Sequence, residues 1–253
     1  MPRGSKGRMK DRHRARTNLT ALDLEGIEAE RFLSQSVAEA RRLDREAVEI
    51  LGMPSLLLME NAARSAAIQA RPLLGNGKAL VLAGPGNNGG DGMALARFLS
   101  PRARVVLFSD PDPKRCPDAA LQRRILEASG LEIHRAAGPA DLCRLAGEVE
   151  LLVDALLGTG LARAPEGRMA EWISWMNETP LPVLSLDVPS GLDADGGGAF
   201  DPCVHASLTV TFARPKRGLM EGDGPRVSGR VIVGTLGLPE DWVLDWMRPE
   251  DET

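Results

Sequence analysis

The sequence has few of the residues that build disulfide frameworks and metal fingers. Only three cysteines occur in 253 residues: Cys116, Cys143 and Cys203. Their number is odd, their spacing is wide and no CxxC pair is present. A disulfide scaffold and a cysteine–zinc finger are therefore excluded, and a reducing, cytoplasmic compartment is expected. Histidine is equally sparse, and His13, His134 and His205 show no HExxH pairing, which argues against a zinc site. No apolar run approaches the ~18 residues that a membrane span needs, and the N-terminus has no signal-type apolar stretch.

Charge is unevenly spread. Arg3, Lys6, Arg8, Lys10, Arg12, Arg14 and Arg16 face a single acid, Asp11, so residues 1–16 carry +6. The whole chain carries −4, leaving −10 on the rest. An acidic body argues against a nucleic-acid-binding face on the fold. Residues 1–21 have no hydrophobic period and read as a disordered basic tail that the fold does without. Residues 22–253 suit a single domain.

Within that domain the pattern alternates. Residues 34–51 place Ser36 and Glu39 at capping-box spacing, with Val37, Ala40, Leu43 and Ala47 at helical spacing. Residues 54–70 form a second helix, opened by Pro54, apolar all round at 56–59 and small in its middle. Such a surface must be covered by the core or by a second subunit. Strands are predicted at 79–83, 104–108, 131–134, 151–156, 182–187, 207–212 and 230–233. Helices are predicted from Met93 to Leu99 and over 117–129 and 167–177. This alternation predicts a three-layer αβα sandwich around a Rossmann-like, mostly parallel sheet.

Ligands of such sheets bind beyond the carboxyl ends of the strands. Three loops fall there: GPGNNGGDG (84–92), DALLGTGLARA (154–164) and DVPSGLDADGG (187–197). The first contains Gly84-x-Gly86-x-x-Gly89, a bare dinucleotide fingerprint, and Asp110 follows where a ribose-binding acid would sit. No lysine–hydroxyl pair follows, so it is not a P-loop. Asp154, inside an apolar strand, needs a partner. It reads equally as a cap on the next loop's amides or as a ligand of a hard cation. Asp187 begins a tight turn with Pro189, Ser190 and Gly191.

The segments MENAARSAA (59–67), AGPGNNGGDGMALARFL (83–99), VDALLGTGLARAPEG (153–167), LSLDVPSGLDADGG (184–197) and TVTFARPKRGL (209–219) together resemble the NAD(P)H-hydrate epimerase family, the YjeF N-terminal domain. The resemblance implies an isomerase that interconverts the R and S forms of hydrated NADH or NADPH at C6 of the nicotinamide ring. It implies substrate contacts from Asn87, Asn88, Gly89, Gly90 and Asp91, from Gly158, Thr159, Gly160, Leu161, Ala162, Arg163 and Ala164, and from Asp187. It implies one potassium ion on Asn88, Asp154 and Ser190, and a functional partner in a separate hydrate dehydratase, for which a chain ending at Thr253 leaves no fused domain. A homodimer is a further expectation. Asp187 is the expected acid/base. Lys216 is a weaker candidate, read first as a solvated loop lysine. Two other readings stay open: an NAD-dependent dehydrogenase, resting on the glycine fingerprint and Asp110, and a non-catalytic binding scaffold on the same fold.

Overall fold

The computed structural model of the chain describes residues 34–239 and 242–243. The expected basic tail, 1–21, lies outside the described residues. Seven parallel strands form one sheet in the order β3-β2-β1-β4-β5-β6-β7. These are β1 Lys78–Ala83, β2 Ala103–Leu107, β3 Ile133–Arg135, β4 Val149–Ala155, β5 Val183–Leu186, β6 Leu208–Phe212 and β7 Arg230–Gly234. The helices are α1 Val37–Glu49, α2 Ser55–Ala70, α3 Asn87–Leu99, α4 Pro117–Ala128, α5 Pro139–Leu145, α6 Arg168–Glu178 and the single turns α7 Arg217–Met220 and α8 Gly224–Val227. Among the described residues no helix is long and apolar enough to cross a membrane.

Strand alternation creates the three layers. Ala79, Val81 and Ala83 of β1 join Leu151, Val153 and Ala155 of β4 in one core, covered by α1 to α4 through Leu43, Leu58, Ala66, Leu95 and Leu126. Leu80, Leu82 and Leu152 point to the opposite core, closed by Leu142 of α5 and by Trp172, Ile173 and Met176 of α6. A sheet buried on both faces explains why its strands read as continuous apolar runs. The capping box at Ser36 and Glu39 forms as expected: the Ser36 N–H donates to Glu39 Oε2 at 2.6 Å and the Glu39 N–H donates to Ser36 Oγ at 3.2 Å.

Two element assignments change. The helix expected from Met93 begins at Asn87, so most of the glycine-rich segment is helix, not loop. Gly89 makes this start possible. A Cβ there would lie 1.9 Å from the Gly84 carbonyl oxygen, and a Cβ on Gly84 would lie 1.9 Å from that of Leu156. The helix α5 was not predicted; its seven residues give too short a stretch for periodicity to register.

The chain moves outward from β1 to β3 and then returns to place β4 beside β1. The crevice where strand order reverses is where open sheets of this kind bind ligands. Here it is flanked by the Gly84 loop, after β1, and the 156–164 loop, after β4.

Candidate active site

A cleft of about 960 Å³ opens at the carboxyl ends of the strands. That volume is ample for a nucleotide-sized ligand. The three expected loops meet in it: Asn87, Asn88 and Asp91 line it, as do Gly158, Thr159, Gly160, Leu161, Ala162 and Arg163, and Asp187. Three expected contact residues stand back. Gly89 and Gly90 are buried, and a Cβ on Gly90 would lie 2.7 Å from the Met59 methyl, so both serve close packing. Gly90 also spends its N–H on the Gly86 carbonyl at 3.1 Å. Ala164 does not line the cleft.

Beneath the cleft floor the three loops are tied together by a chain of hydrogen bonds centred on Asp154, which is wholly buried. Asp154 Oδ2 accepts from Ser185 Oγ and from the Ser190 N–H, both at 2.8 Å. Asp154 Oδ1 accepts from Ser190 Oγ at 2.5 Å and from the Leu156 N–H at 3.3 Å. Ser190 Oγ in turn accepts from the Leu157 N–H at 2.9 Å, and Asn88 Nδ2 donates to the Leu157 carbonyl at 2.7 Å. Burial pushes the Asp154 carboxyl above its ordinary range, opposed by the bonds from Ser190, Ser185 and Leu156. The capping geometry weighed from the sequence is therefore present in full.

The same geometry fits a monovalent cation on Asn88, Asp154 and Ser190. Asn88 Oδ1 is buried and has no hydrogen-bond partner among the described residues. The donors to Asp154 are all uncharged. An orphaned carbonyl oxygen, joined through Leu157 and Ser190 to a buried carboxylate with only neutral donors, suits a hard cation.

On the cleft wall, Asp187 follows β5 with φ at 64°, a left-handed backbone that Asp tolerates at a cost of about 1 kcal/mol or more. Its carboxylate pairs with the Lys216 ammonium. The lysine side chain is only 4% exposed, and its Nζ also donates to the Phe212 carbonyl at 3.2 Å. Lys216 is thus no solvated loop lysine. Its backbone is pinned by an isolated bridge to Gln35, whose N–H donates to the Pro215 carbonyl at 2.8 Å and whose carbonyl accepts from the Arg217 N–H at 3.0 Å.

Asp91 completes the group. Part of the residue faces the cleft, yet its surroundings are dense enough that desolvation pushes its carboxyl well above the ordinary carboxylate range. Asp187 and Asp44 push in the same direction and Lys216 opposes them. Asp44, on α1, is raised as well, chiefly by desolvation, and lines the same cleft with Arg41. Asp44 and Arg41 escaped the sequence reading because they look like the polar face of an amphipathic helix. Asp110 is absent from the cleft; it pairs with Arg123 at 2.8 Å and Arg135 at 2.7 Å. The dehydrogenase reading loses its ribose acid.

Comparisons with known proteins place the chain in a family. The family described as YjeF-related protein N-terminus matches residues 55–218. A Weissella koreensis protein named NAD(P)H-hydrate epimerase is 36% identical over 84% of this chain and 95% of its own length. A Rhodopirellula baltica protein of the same name is 37% identical over 79% of this chain and 82% of its own. A Hyperthermus butylicus protein named bifunctional NAD(P)H-hydrate repair enzyme is 39% identical, and the match spans 76% of this chain and 36% of that protein. Among solved structures, the yeast protein ynu0, YNL200c, superposes with a TM-score of 0.72 at 23% identity, over 84% of this chain and 93% of that one, which shows the shared fold. With its family segment, its relatives and its fold in agreement, the chain belongs to the YjeF-related N-terminal family, that of the proteins named NAD(P)H-hydrate epimerase.

Proposed function

We propose that this protein is an NAD(P)H-hydrate epimerase, an isomerase that interconverts the R and S forms of hydrated NADH and NADPH at C6 of the reduced nicotinamide ring. The observation that carries the reading is the convergence of Asp187, Lys216 and the raised carboxyl of Asp91 in a nucleotide-sized cleft at the switch point of the sheet.

The chemistry asks for little more. C6 of the hydrate bears both the ring nitrogen and the hydroxyl. The nitrogen lone pair expels the hydroxyl as that oxygen takes a proton, leaving an iminium and a water. Water then returns to the opposite face and gives up a proton. One carboxyl must release a proton and one must accept it, and positioned acid–base groups of this kind contribute about 10²–10⁴-fold. Asp91, whose surroundings favour its protonated form, suits the first duty, and Asp187, in its ion pair with Lys216, suits the second. Groups of one chemical type whose environments differ in this way divide acid and base roles. The amino end of α3, with Asn87 and Asn88 on its first turn, suits the substrate's pyrophosphate.

Asn88, Asp154 and Ser190 would hold potassium, which would offset the Asp154 charge and keep the three loops in register. The S form produced would pass to a separate dehydratase; the Hyperthermus butylicus relative is named as a bifunctional repair enzyme, with two functions in one protein. Cys116, Cys143 and Cys203 are free thiols, which supports a reducing cytoplasm. Val48, Ile50, Leu51, Leu57 and Ile68, exposed on α1, the turn after it and α2, support pairing of two copies. A one-chain mass in sedimentation would refute that pairing. The activity itself is tested by incubating purified S hydrate with the protein and separating epimers by chromatography. The R form should grow in to equilibrium; its absence would refute the proposal.

A further inference from the structure

We infer that Arg115 binds the 2′-phosphate of the substrate, so that the enzyme favours the hydrate of NADPH over that of NADH; this rests on the epimerase reading above. The cleft is lined by residues that follow β2, β1, β4 and β5 and by Phe212 of β6. Asp187, Phe212 and Lys216 lie at its β5–β6 end, Asn87 and Asn88 at its middle, and Ser55, Arg115, Cys116 and Asp118 at its β2–α4 end. The reacting ring must sit with the acid–base groups at the first end. The pyrophosphate, midway along a dinucleotide, then meets the amino end of α3. The adenosine half is left to reach the far end, and its ribose carries the one group that distinguishes the two substrates.

Two independent observations at that end favour a phosphate. Arg115 is exposed, lines the cleft and makes no ion pair or side-chain hydrogen bond among the described residues. A guanidinium with its donors uncommitted is suited to phosphate oxygens. The second observation concerns Asp110. An acid after the second strand ordinarily accepts from the ribose hydroxyls and repels a 2′-phosphate, whereas a nearby arginine accommodates it. Asp110 is bound by Arg123 and Arg135 and stands outside the cleft. The carboxylate that does reach this end, Asp118, is engaged by Ser55 Oγ at 2.5 Å. The acid that would select the unphosphorylated ribose is withdrawn, and a cation stands in the cleft.

Two measurements on the full chain and on Arg115→Gln test this. In steady-state epimerisation, the wild type should prefer the NADPH hydrate in kcat/KM by about ten- to a hundredfold, the worth of a charge-assisted contact. Arg115→Gln should bring the ratio near one, through KM rather than kcat. Calorimetric titration with NADP⁺ and NAD⁺ reads the same preference without turnover, so it stands even if neither hydrate is epimerised, an outcome that would sink the epimerase reading alone. Equal binding of the two nucleotides by the wild type, or a preference that survives Arg115→Gln, would overturn the assignment.

Discussion

Asp187 and Asp91 are both aspartates lining one cleft, and their neighbours separate their duties. Asp187 touches an ammonium, whereas desolvation and the charges of Asp187 and Asp44 raise the Asp91 carboxyl. Asp187→Asn keeps the shape and most of the hydrogen bonding but cannot carry a proton. Its kcat should fall by about two to four decades with KM little changed. A near-wild-type kcat in a stopped assay would remove Asp187 from proton transfer. Asp91 makes the opposite demand on stability. Its folded carboxyl holds its proton more tightly than the unfolded one, so its contribution is full below the unfolded value, 3.8, and is lost as pH rises through the raised value. Asp91→Asn should therefore raise the urea midpoint at pH 8, with the gain shrinking as pH is lowered toward 4, while activity falls. A gain independent of pH would show that burial of the charge is not what perturbs Asp91. The sequence marked Asp187 because it starts a loop at a strand end. It could not mark Lys216 as buried, because the segment that carries it is fixed by tertiary contacts, among them a backbone bridge to Gln35, 181 residues earlier.

At the scale of elements, α3 carries the clearest lesson. Glycine is a poor helix former, so a segment with five glycines in nine residues reads as loop. Tertiary packing overrides that propensity: the helix must start against the Gly84 turn, and only a residue without a Cβ fits there. Gly89→Ala should cost about 1–3 kcal/mol or more in urea unfolding, as overpacking does. Gly86→Ala, where an added methyl meets nothing within 4 Å and φ is −93°, should leave stability unchanged. Equal stability of both variants would mean that α3 does not abut the loop as described. The strands, by contrast, were legible to within two residues at most ends, because a sheet covered on both faces demands unbroken apolar runs.

At the scale of the molecule, the αβα layering followed from the alternation of elements, but the strand order did not. Local pattern says which segments are strands; it does not say that β4 returns to the side of β1. That return brings Asn88, Asp154 and Ser190 into one hydrogen-bonded chain, and with it the proposed cation site. Potassium should raise the melting temperature of the wild type above that in tetramethylammonium at equal ionic strength, since a ligand of the folded state alone stabilises it. Asn88→Ala, lacking the orphaned oxygen, should lose the difference. A melting temperature indifferent to the cation would leave Asp154 as a capping residue only.

The central claim, that this chain epimerises hydrated nicotinamide nucleotides, is tested most directly by coupling. A mixture of R and S hydrates is supplied to a dehydratase that accepts only the S form, and the return of reduced cofactor is followed by its absorbance. With the dehydratase alone, recovery should stop when the S form is exhausted. With this protein added it should run to completion, and with Asp187→Asn it should again stall near the S fraction. A wild-type protein that leaves the R form untouched would contradict the account.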